Sequence, residues 1–197
     1  MSLLLALLLA TLPTEPPPVS VIRDAIKSVA PRYLSKTTAG RYAKIIDRVA
    51  RRRNIHPFLF VAFIHVETAR RWDPRTHSKT NDYGLMQVHV AERGSARFLG
   101  REEELFNPAT NIREWGRLAD MWRSYHNRTC DQESHPWWAH LKWGFRVKDS
   151  EHADKVKSLY VRLLRKFRQA DLVATSQTRH FSVACSPVFS ADDPSEK

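Results

Sequence analysis

The 197-residue chain has only six glycines, only two cysteines and no long hydrophobic run. So few glycines favour helices over a many-stranded sheet with tight turns. Cys130 and Cys185 can form at most one disulfide, and the chain has no Cys-x-x-Cys pair, which argues against structural zinc and thiol redox sites. We therefore expect no metal and no cofactor.

Acidic residues are scarce relative to basic ones. The chain carries 32 Lys and Arg against 21 Asp and Glu, a formal net charge of +11. A field of one sign attracts partners of the opposite sign, so nucleic acid, anionic lipid and bacterial cell wall are all candidates. Because the basic residues are dispersed and no known nucleic-acid-binding motif occurs, we expect no nucleic-acid partner.

The two ends of the chain differ from its middle. The apolar run Leu3–Leu9 is too short to span a bilayer but has the length of a signal-peptide core, and residues 11–18 are rich in proline. We interpret 1–18 as a signal-like segment and linker of a periplasmic or secreted protein without a stable membrane span. A short apolar tag or a misassigned start is the alternative. Residues 173–197 show no periodicity and predict a flexible tail, leaving 19–172 as the domain.

Apolar residues recur at helical spacing in several segments of this domain. The predicted helices cover residues 19–29, 38–53, 57–67, 108–126, 137–143 and 151–170. Pro57 suits the first turn of a helix, with Asn54 or His56 near its N-cap, and Asn107 or Thr110 can cap a later helix. The fold class is therefore mainly α.

The segment from Phe58 to Glu67 is apolar almost all round, which predicts a buried helix with a carboxylate at its end. Burial disfavours the ionised form of a carboxylate, as a general acid working near neutral pH requires. The structural alternative is an ion pair with Arg70 or Arg71. Position in the sequence does not separate the two interpretations.

Two ordered blocks of residues surround this glutamate. The first comprises His65-Val66-Glu67-Thr68, Trp72-Asp73-Pro74 and Asn-Asp-Tyr-Gly-Leu-Met-Gln-Val-His at 81–89, and the second is Leu-Phe-Asn-Pro-Ala-Thr-Asn-Ile at 105–112. Together they resemble the signature of soluble-type lytic transglycosylases over roughly residues 50–160. The resemblance implies a bilobal, helical, lysozyme-like α+β fold with a small irregular or β segment around residues 75–90 and a glycan-binding cleft.

Position by position, the resemblance implies that Glu67 is the acid and base that cleaves the β-1,4 bond between N-acetylmuramic acid and N-acetylglucosamine in peptidoglycan. The same residue would then take the proton of the muramic 6-hydroxyl, which closes a 1,6-anhydro ring without a second carboxylate. Thr68 takes the family's serine position, and Met86 and Gln87 line the cleft near the cleaved bond. These three residues are implied substrate contacts.

Asp82 leaves three interpretations open. Its Asp-Tyr-Gly context also resembles the strand of animal-type lysozymes, which would make Asp82 the second carboxylate of a retaining muramidase. It can instead lie on the substrate side, or be a turn residue that bonds nearby backbone N–H groups. Tyr83 is a candidate substrate contact that packs beside Glu67, or it belongs to the core. Among the aromatic residues Trp137, Trp138 and Trp143, we expect Trp143 to stack on a sugar ring, although large aromatics are more often core.

One departure from the family bears on activity. The family carries an Ala-Tyr-Asn-Ala-Gly segment whose Tyr bonds the catalytic Glu, whereas residues 140–144 read His-Leu-Lys-Trp-Gly and put Leu141 there. Leucine cannot hydrogen-bond, so Tyr83, His65 or His140 compensates, or the protein is a catalytically impaired peptidoglycan-binding scaffold.

The Asn-Asp-Tyr-Gly sequence at 81–84 is similar to that of specialised members that open the wall for secretion or conjugation machines or for phage entry. The expected partner is the glycan strand of peptidoglycan, and a complex of one of those kinds is a further candidate. We expect a monomer.

Overall fold

The computed structural model describes residues 16–91, 95–129, 137–139, 141 and 151–167. Several predictions concern residues outside this described part: the signal-like segment up to residue 15, the tail 173–197, a disulfide between Cys130 and Cys185, and the roles of His140 and Trp143.

The described part is mainly helical, as the sequence predicts. Its α-helices are α1 (Val19–Val29), α2 (Lys36–Arg53), α3 (Pro57–Glu67), α4 (Pro108–Thr129) and α5 (Glu151–Lys166). Short 3-10 helices cover Ala96–Phe98, Glu102–Phe106 and Trp137–Ala139. None of the described helices combines the length and apolarity needed to cross a bilayer.

Capping side chains account for several helix ends. Helix α2 begins two residues before the predicted Thr38, because the Ser35 hydroxyl accepts a hydrogen bond from the Thr38 N–H at 3.0 Å and so caps the first turn. His56 caps α3, and its Nδ1 accepts from the Phe58 N–H at 3.2 Å. Asn107 accepts from the first turn of α4, as predicted.

Other helix ends differ from the predictions. Helix α4 runs to Thr129, three residues beyond the predicted end, and α5 ends at Lys166, before the predicted Ala170. Of the helical piece predicted over 137–143, Trp137–Ala139 forms a 3-10 helix. Apolar periodicity does not distinguish a single 3-10 turn from a turn of α-helix.

A small β segment lies between α3 and α4, within the predicted range of residues 75–90. Strands β1 (Asp82–Tyr83) and β2 (Val88–His89) pair antiparallel, with Asp82 opposite His89 and Tyr83 opposite Val88. The intervening residues turn at Gly84, whose φ of 77° lies in the left-handed region that glycine adopts most easily.

Helix α3 forms the centre of the core. Every residue from Pro57 to Ile64 is buried, and α1, α2 and α5 all pack against this helix. On another side, Phe60 and Phe63 lie 4.7 and 4.9 Å from the Trp115 ring of α4. The predicted central helix is therefore confirmed, and its carboxyl end carries Glu67.

Arg123 of α4 holds the carboxyl end of α2. Its guanidinium donates to the Arg53 carbonyl at 2.9 Å and to the Asn54 carbonyl at 3.0 Å, and also pairs with Asp120. Asn54 ends α2 in the left-handed conformation, with φ 48°. A cation at a helix carboxyl end satisfies carbonyls that have no partner within the helix.

Candidate active site

Glu67 is the last residue of α3, and its side chain is only 8% exposed. Ile64, one turn earlier, is fully buried, while Arg70 and Arg71 after the helix are exposed. The carboxyl group thus lies at the boundary between core and surface, where it is largely shielded from water.

Among the described residues, the ion-pair partner of Glu67 is a histidine. Nε2 of His152, in the first turn of α5, lies 3.0 Å from Oε1 of Glu67. In the described part of the chain, no ion pair joins Glu67 to Arg70 or Arg71, the alternative that the sequence left open. An imidazole can donate or accept a proton, whereas a guanidinium stays charged.

His65 lies two positions before Glu67 on the same helix. Its contacts differ from those of His152. Its Nδ1 faces the indole Nε1 of buried Trp72 at 3.5 Å. Burial, together with the positive charges of Arg70 and Arg162, lowers the pKa of His65 from 6.5 to about 4. His65 is therefore neutral at physiological pH and accepts the indole N–H, so its Nδ1 is already used.

Thr68 caps the carboxyl end of α3. Its hydroxyl donates to the Ile64 carbonyl at 2.7 Å and accepts from the Trp72 N–H at 3.0 Å, and the residue is fully buried. Ala69 and Arg70 have positive φ values of 47° and 70°. Because left-handed residues without glycine are strained, the Thr68 hydroxyl stabilises a costly turn directly after Glu67. A glycan contact of Thr68 stays a prediction.

Asn111 of α4 connects to the turn that carries Tyr83 and Met86. Its Nδ2 donates to the Tyr83 carbonyl at 2.7 Å, and its Oδ1 accepts from the Met86 N–H at 2.8 Å. Met86 is itself buried, and the amide of Gln87 donates to the carbonyls of Thr76 and Gly84. The structure thus groups Tyr83, Met86 and Gln87 on one tightly bonded turn.

The Tyr83 ring packs on two aromatic neighbours. His77 stacks on it with centroids 6.5 Å apart, and Phe106 lies 6.0 Å away. Tyr83 is half-buried against the core. These contacts agree with the interpretation of Tyr83 as a packing residue of the β segment.

The Asp82 carboxylate is engaged by side chains of its own segment. Oδ2 accepts from the hydroxyls of Ser78 and Thr80 at 2.8 and 2.7 Å, and Oδ1 lies 2.9 Å from Nδ1 of His89 on the paired strand. The turn-residue interpretation predicted backbone N–H partners, whereas the contacts described here for the carboxylate are to hydroxyls and an imidazole. Asp82 thus holds the ends of the β segment together.

Part of the chain is similar to a known protein family. Residues 44–128 match the transglycosylase SLT domain family. The matched segment runs from the middle of α2 almost to the end of α4, and it includes Glu67, the Gly84 turn and Asn111. The match covers less than half of the chain, and it shows that this segment is similar to the SLT domain of transglycosylases. The chain has no match among curated proteins and none among solved structures.

The segment after α4 extends beyond the SLT match. Leu141 is half-buried and packs against the core, as an apolar side chain does. Trp138 is also core and meets Phe63 edge-on at 6.0 Å, whereas half-buried Trp137 lies under the guanidinium of Arg123. Sugar stacking by Trp143 concerns a residue outside the described part and stays a prediction.

His152 also lies outside the SLT match, and the sequence reasoning missed it. His152 lies four residues before Val156 and seven before Leu159, and both of these residues of α5 are buried. That spacing continues the apolar face of the helix, so it could have indicated that His152 points inward. The identity of its partner, 85 positions earlier in the chain, has no local signal.

Two further observations concern metal binding and surface depressions. Among described residues, no group of three or more His, Cys, Asp and Glu is arranged to hold a metal ion. Two open depressions on the described surface are lined by side chains of α2 with Val19 and by side chains of α5, and Glu67 lines neither. A glycan-binding groove beside Glu67 is therefore part of the proposal below.

Proposed function

We propose that this protein cleaves the glycan strands of peptidoglycan as a lytic transglycosylase, with Glu67 as its catalytic acid and base. One observation carries the proposal. Within the segment that matches the SLT domain, a single carboxyl group ends the central buried helix, is shielded from water and faces an imidazole at 3.0 Å. A general acid needs such a setting, because water would otherwise compete for its proton.

The chemistry requires one carboxyl group that changes its protonation state. Glu67 protonates the oxygen of the β-1,4 bond between N-acetylmuramic acid and N-acetylglucosamine, and the muramic ring acquires oxocarbenium character. Ionised Glu67 then removes the proton of the 6-hydroxyl of the same sugar, whose oxygen bonds to the anomeric carbon. The products are a 1,6-anhydro end and a free N-acetylglucosamine 4-hydroxyl, and Glu67 regains its proton.

The contacts of Asp82 support this single-carboxylate route over a retaining muramidase. A nucleophile must reach the anomeric carbon, whereas both Asp82 oxygens are engaged by hydroxyls and by His89. In the proposal, Asp82 shapes the β segment, and the Tyr83–Gln87 turn borders the bound glycan. Thr68 keeps the turn after Glu67 in place, and Trp143 supplies a stacking surface.

The second candidate function is a wall-binding scaffold with impaired catalysis. The observation that favours it is Leu141, whose apolar side chain packs against the core and offers Glu67 no hydrogen bond. Either function requires access to the cell wall, so we place the protein in the periplasm or outside the cell. A secretion, conjugation or phage entry complex is the setting that we propose for it.

The first prediction concerns Glu67→Gln, assayed on purified sacculi. The wild-type protein is expected to release soluble muropeptides with 1,6-anhydro ends by mass spectrometry, and Glu67→Gln to lose at least about 100-fold in rate while still binding sacculi. Glu103→Gln, which removes an exposed carboxylate from a 3-10 helix, is the matched control and should keep full activity.

Each other result selects a different function. Reducing ends in place of anhydro ends indicate a muramidase. Equal inertness of wild type and Glu67→Gln with intact wall binding indicates the scaffold. Salt-sensitive DNA binding without wall binding would indicate a nucleic-acid-binding protein.

A further inference from the structure

We propose that His152 is the positioning residue of Glu67, orienting its carboxyl group in both the protonated and the ionised state. The inference rests on the proposed function, since it deepens the role of Glu67 there. His152 lies outside the segment that matches the SLT domain, and it enters the site only through the packing of α5 on α3.

The contact is built by buried neighbours on both helices. Val156, Leu159 and Leu163 anchor α5 to the core and place His152 on the same face. The imidazole lies 6.3 Å from the ring of Phe63, one turn before Glu67 on α3. With the His152 side chain 20% exposed and that of Glu67 8% exposed, both groups are restricted in their rotamers.

His152 and Glu67 are close enough for an ion pair, but they are not aligned for a hydrogen bond. Nε2 lies 3.0 Å from Oε1, but its direction does not satisfy hydrogen-bond geometry. Catalytic contacts are often poorly aligned before substrate binds and tighten afterwards.

An imidazole suits a carboxyl group that changes state during the reaction. When Glu67 carries its proton, an unprotonated Nε2 accepts a hydrogen bond from the carboxyl O–H. When Glu67 is ionised, a protonated Nε2 donates to the carboxylate. Neutral histidine exists as two tautomers that supply these two forms of Nε2, so one residue serves both states.

Other groups near the carboxyl end of α3 are less suited to this role. Nδ1 of His65 accepts from the Trp72 indole N–H, and burial keeps that histidine neutral with a pKa of about 4. Arg70 and Arg162 are permanent cations that can only donate, so they favour the ionised carboxylate alone. Of the described residues, His152 both lies within reach of Glu67 and can reverse its hydrogen-bonding role.

The test compares two substitutions in the full-length protein. His152→Gln keeps a donor and an acceptor on a planar amide, whereas His152→Phe keeps only the aromatic packing. We expect His152→Phe to lower kcat for muropeptide release about 100-fold with KM within about twofold, and His152→Gln to recover at least about tenfold of that loss. Lys157→Ala, on the exposed face of the same helix, is the control and should match wild type.

A second measurement does not depend on activity. Urea unfolding of Glu67→Gln, His152→Phe and the double variant forms a double-mutant cycle, and contacting groups give non-additive changes in stability. Circular dichroism shows whether each variant is folded. Wall binding by the variants should be unchanged, since positioning acts on the reaction and not on affinity.

The outcomes separate the two proposals. If wild type is active and His152→Phe is equally active, the positioning role is overturned while the proposed function stands. If His152→Phe acts through KM alone, His152 is a substrate contact and the inference is wrong. Additive unfolding changes would overturn the contact itself. If wild type releases no muropeptides, the proposed function fails and the role of His152 in it fails too.

Discussion

The glycine at position 84 determines how the chain turns between the two short strands. A Cβ at this position would lie 2.3 Å from Nδ2 of Asn111 and 2.3 Å from the Leu105 carbonyl oxygen. Asn111 is the side chain that bonds Tyr83 and Met86, so it cannot move away without losing those bonds. At this residue, a left-handed backbone and a close approach of α4 coincide.

We predict that Gly84→Ala lowers the free energy of unfolding by about 3 kcal/mol, because a strained φ and overpacking add. Gly100→Ala is the matched control. Its φ of 72° is similarly left-handed, but no atom lies within 4 Å of the added Cβ, so we expect a loss of only about 1 kcal/mol. Urea unfolding measures both values. Equal losses would show that the contact with Asn111 is unimportant.

At the scale of elements, α2 separates a buried face from a basic one. Its buried face includes Tyr42, Ile46 and Val49. On the opposite face, Lys44, Arg48 and Arg52 follow one another at i, i+4 spacing. These three cations are exposed, and the ion pairs of the described residues include none of them. They also line an open depression of about 610 Å³.

Like charges at this spacing destabilise a helix by about 0.2–0.5 kcal/mol per pair, so the arrangement does not serve the stability of α2. Helix-end capping accounts for Arg52 but not for Lys44, which lies two turns earlier. Capping of the helix end thus explains only the carboxyl-terminal part of this basic face. We propose that the face as a whole attracts the anionic cell wall.

We therefore predict that changing Lys44, Arg48 and Arg52 together to Gln weakens binding to sacculi about tenfold at low salt. The difference from wild type should shrink as added salt screens the charges. Binding is measured by cosedimentation at several salt concentrations.

Three exposed cations outside α2, Arg32, Lys157 and Arg165, provide a control with the same change in net charge. If changing them to Gln weakens binding equally, the basic face of α2 has no special role and only the total charge matters.

At the scale of the whole molecule, one fully buried and one partly buried titratable group make the fold sensitive to acid. Glu114 of α4 has a fully buried carboxylate that accepts from Ser95 at 2.7 Å and pairs with Arg97 and Arg117. Burial raises its pKa, but hydrogen bonds from Arg117 and Ser95 and the charges of Arg117 and Arg97 outweigh this and leave the pKa lowered. His65 has its pKa lowered to about 4, first by burial.

Both shifts act in the same direction on stability. Between pH 6.5 and about 4 the unfolded chain binds a proton at His65 that the folded protein does not, so stability falls as pH falls. Below 4.5, the folded carboxylate of Glu114 resists a proton that the unfolded one accepts, so its contribution is then lost.

We predict that the free energy of unfolding drops by about 2–3 kcal/mol between pH 7 and pH 4 because of His65, with a further loss below pH 4.5. His65→Gln should flatten the upper part of this profile, while His77→Gln, at an exposed position, should leave it unchanged. Urea unfolding across this pH range is the measurement. A profile of His65→Gln identical to that of wild type would contradict the assignment.

The helices and their ends were largely predictable from sequence, because they depend on residues within four positions of one another. Apolar spacing identified α1 to α5, and Pro57 and Asn107 marked where α3 and α4 begin. Where local signals compete, as with Ser35 and Thr38 at the start of α2, the sequence placed the boundary two residues away. The position of Glu67 at the end of a buried helix also follows from local pattern.

The surroundings of Glu67 depended on tertiary structure. The sequence offered Arg70 and Arg71 as nearby partners, but these residues follow the helix and point into solvent, whereas α5 brings His152 to the carboxyl group. Asn111 meets Tyr83 and Met86 in the same way, across about 25 residues. Local periodicity shows which face of a helix is buried, but the residue that it meets is decided by the packing of distant helices around one core.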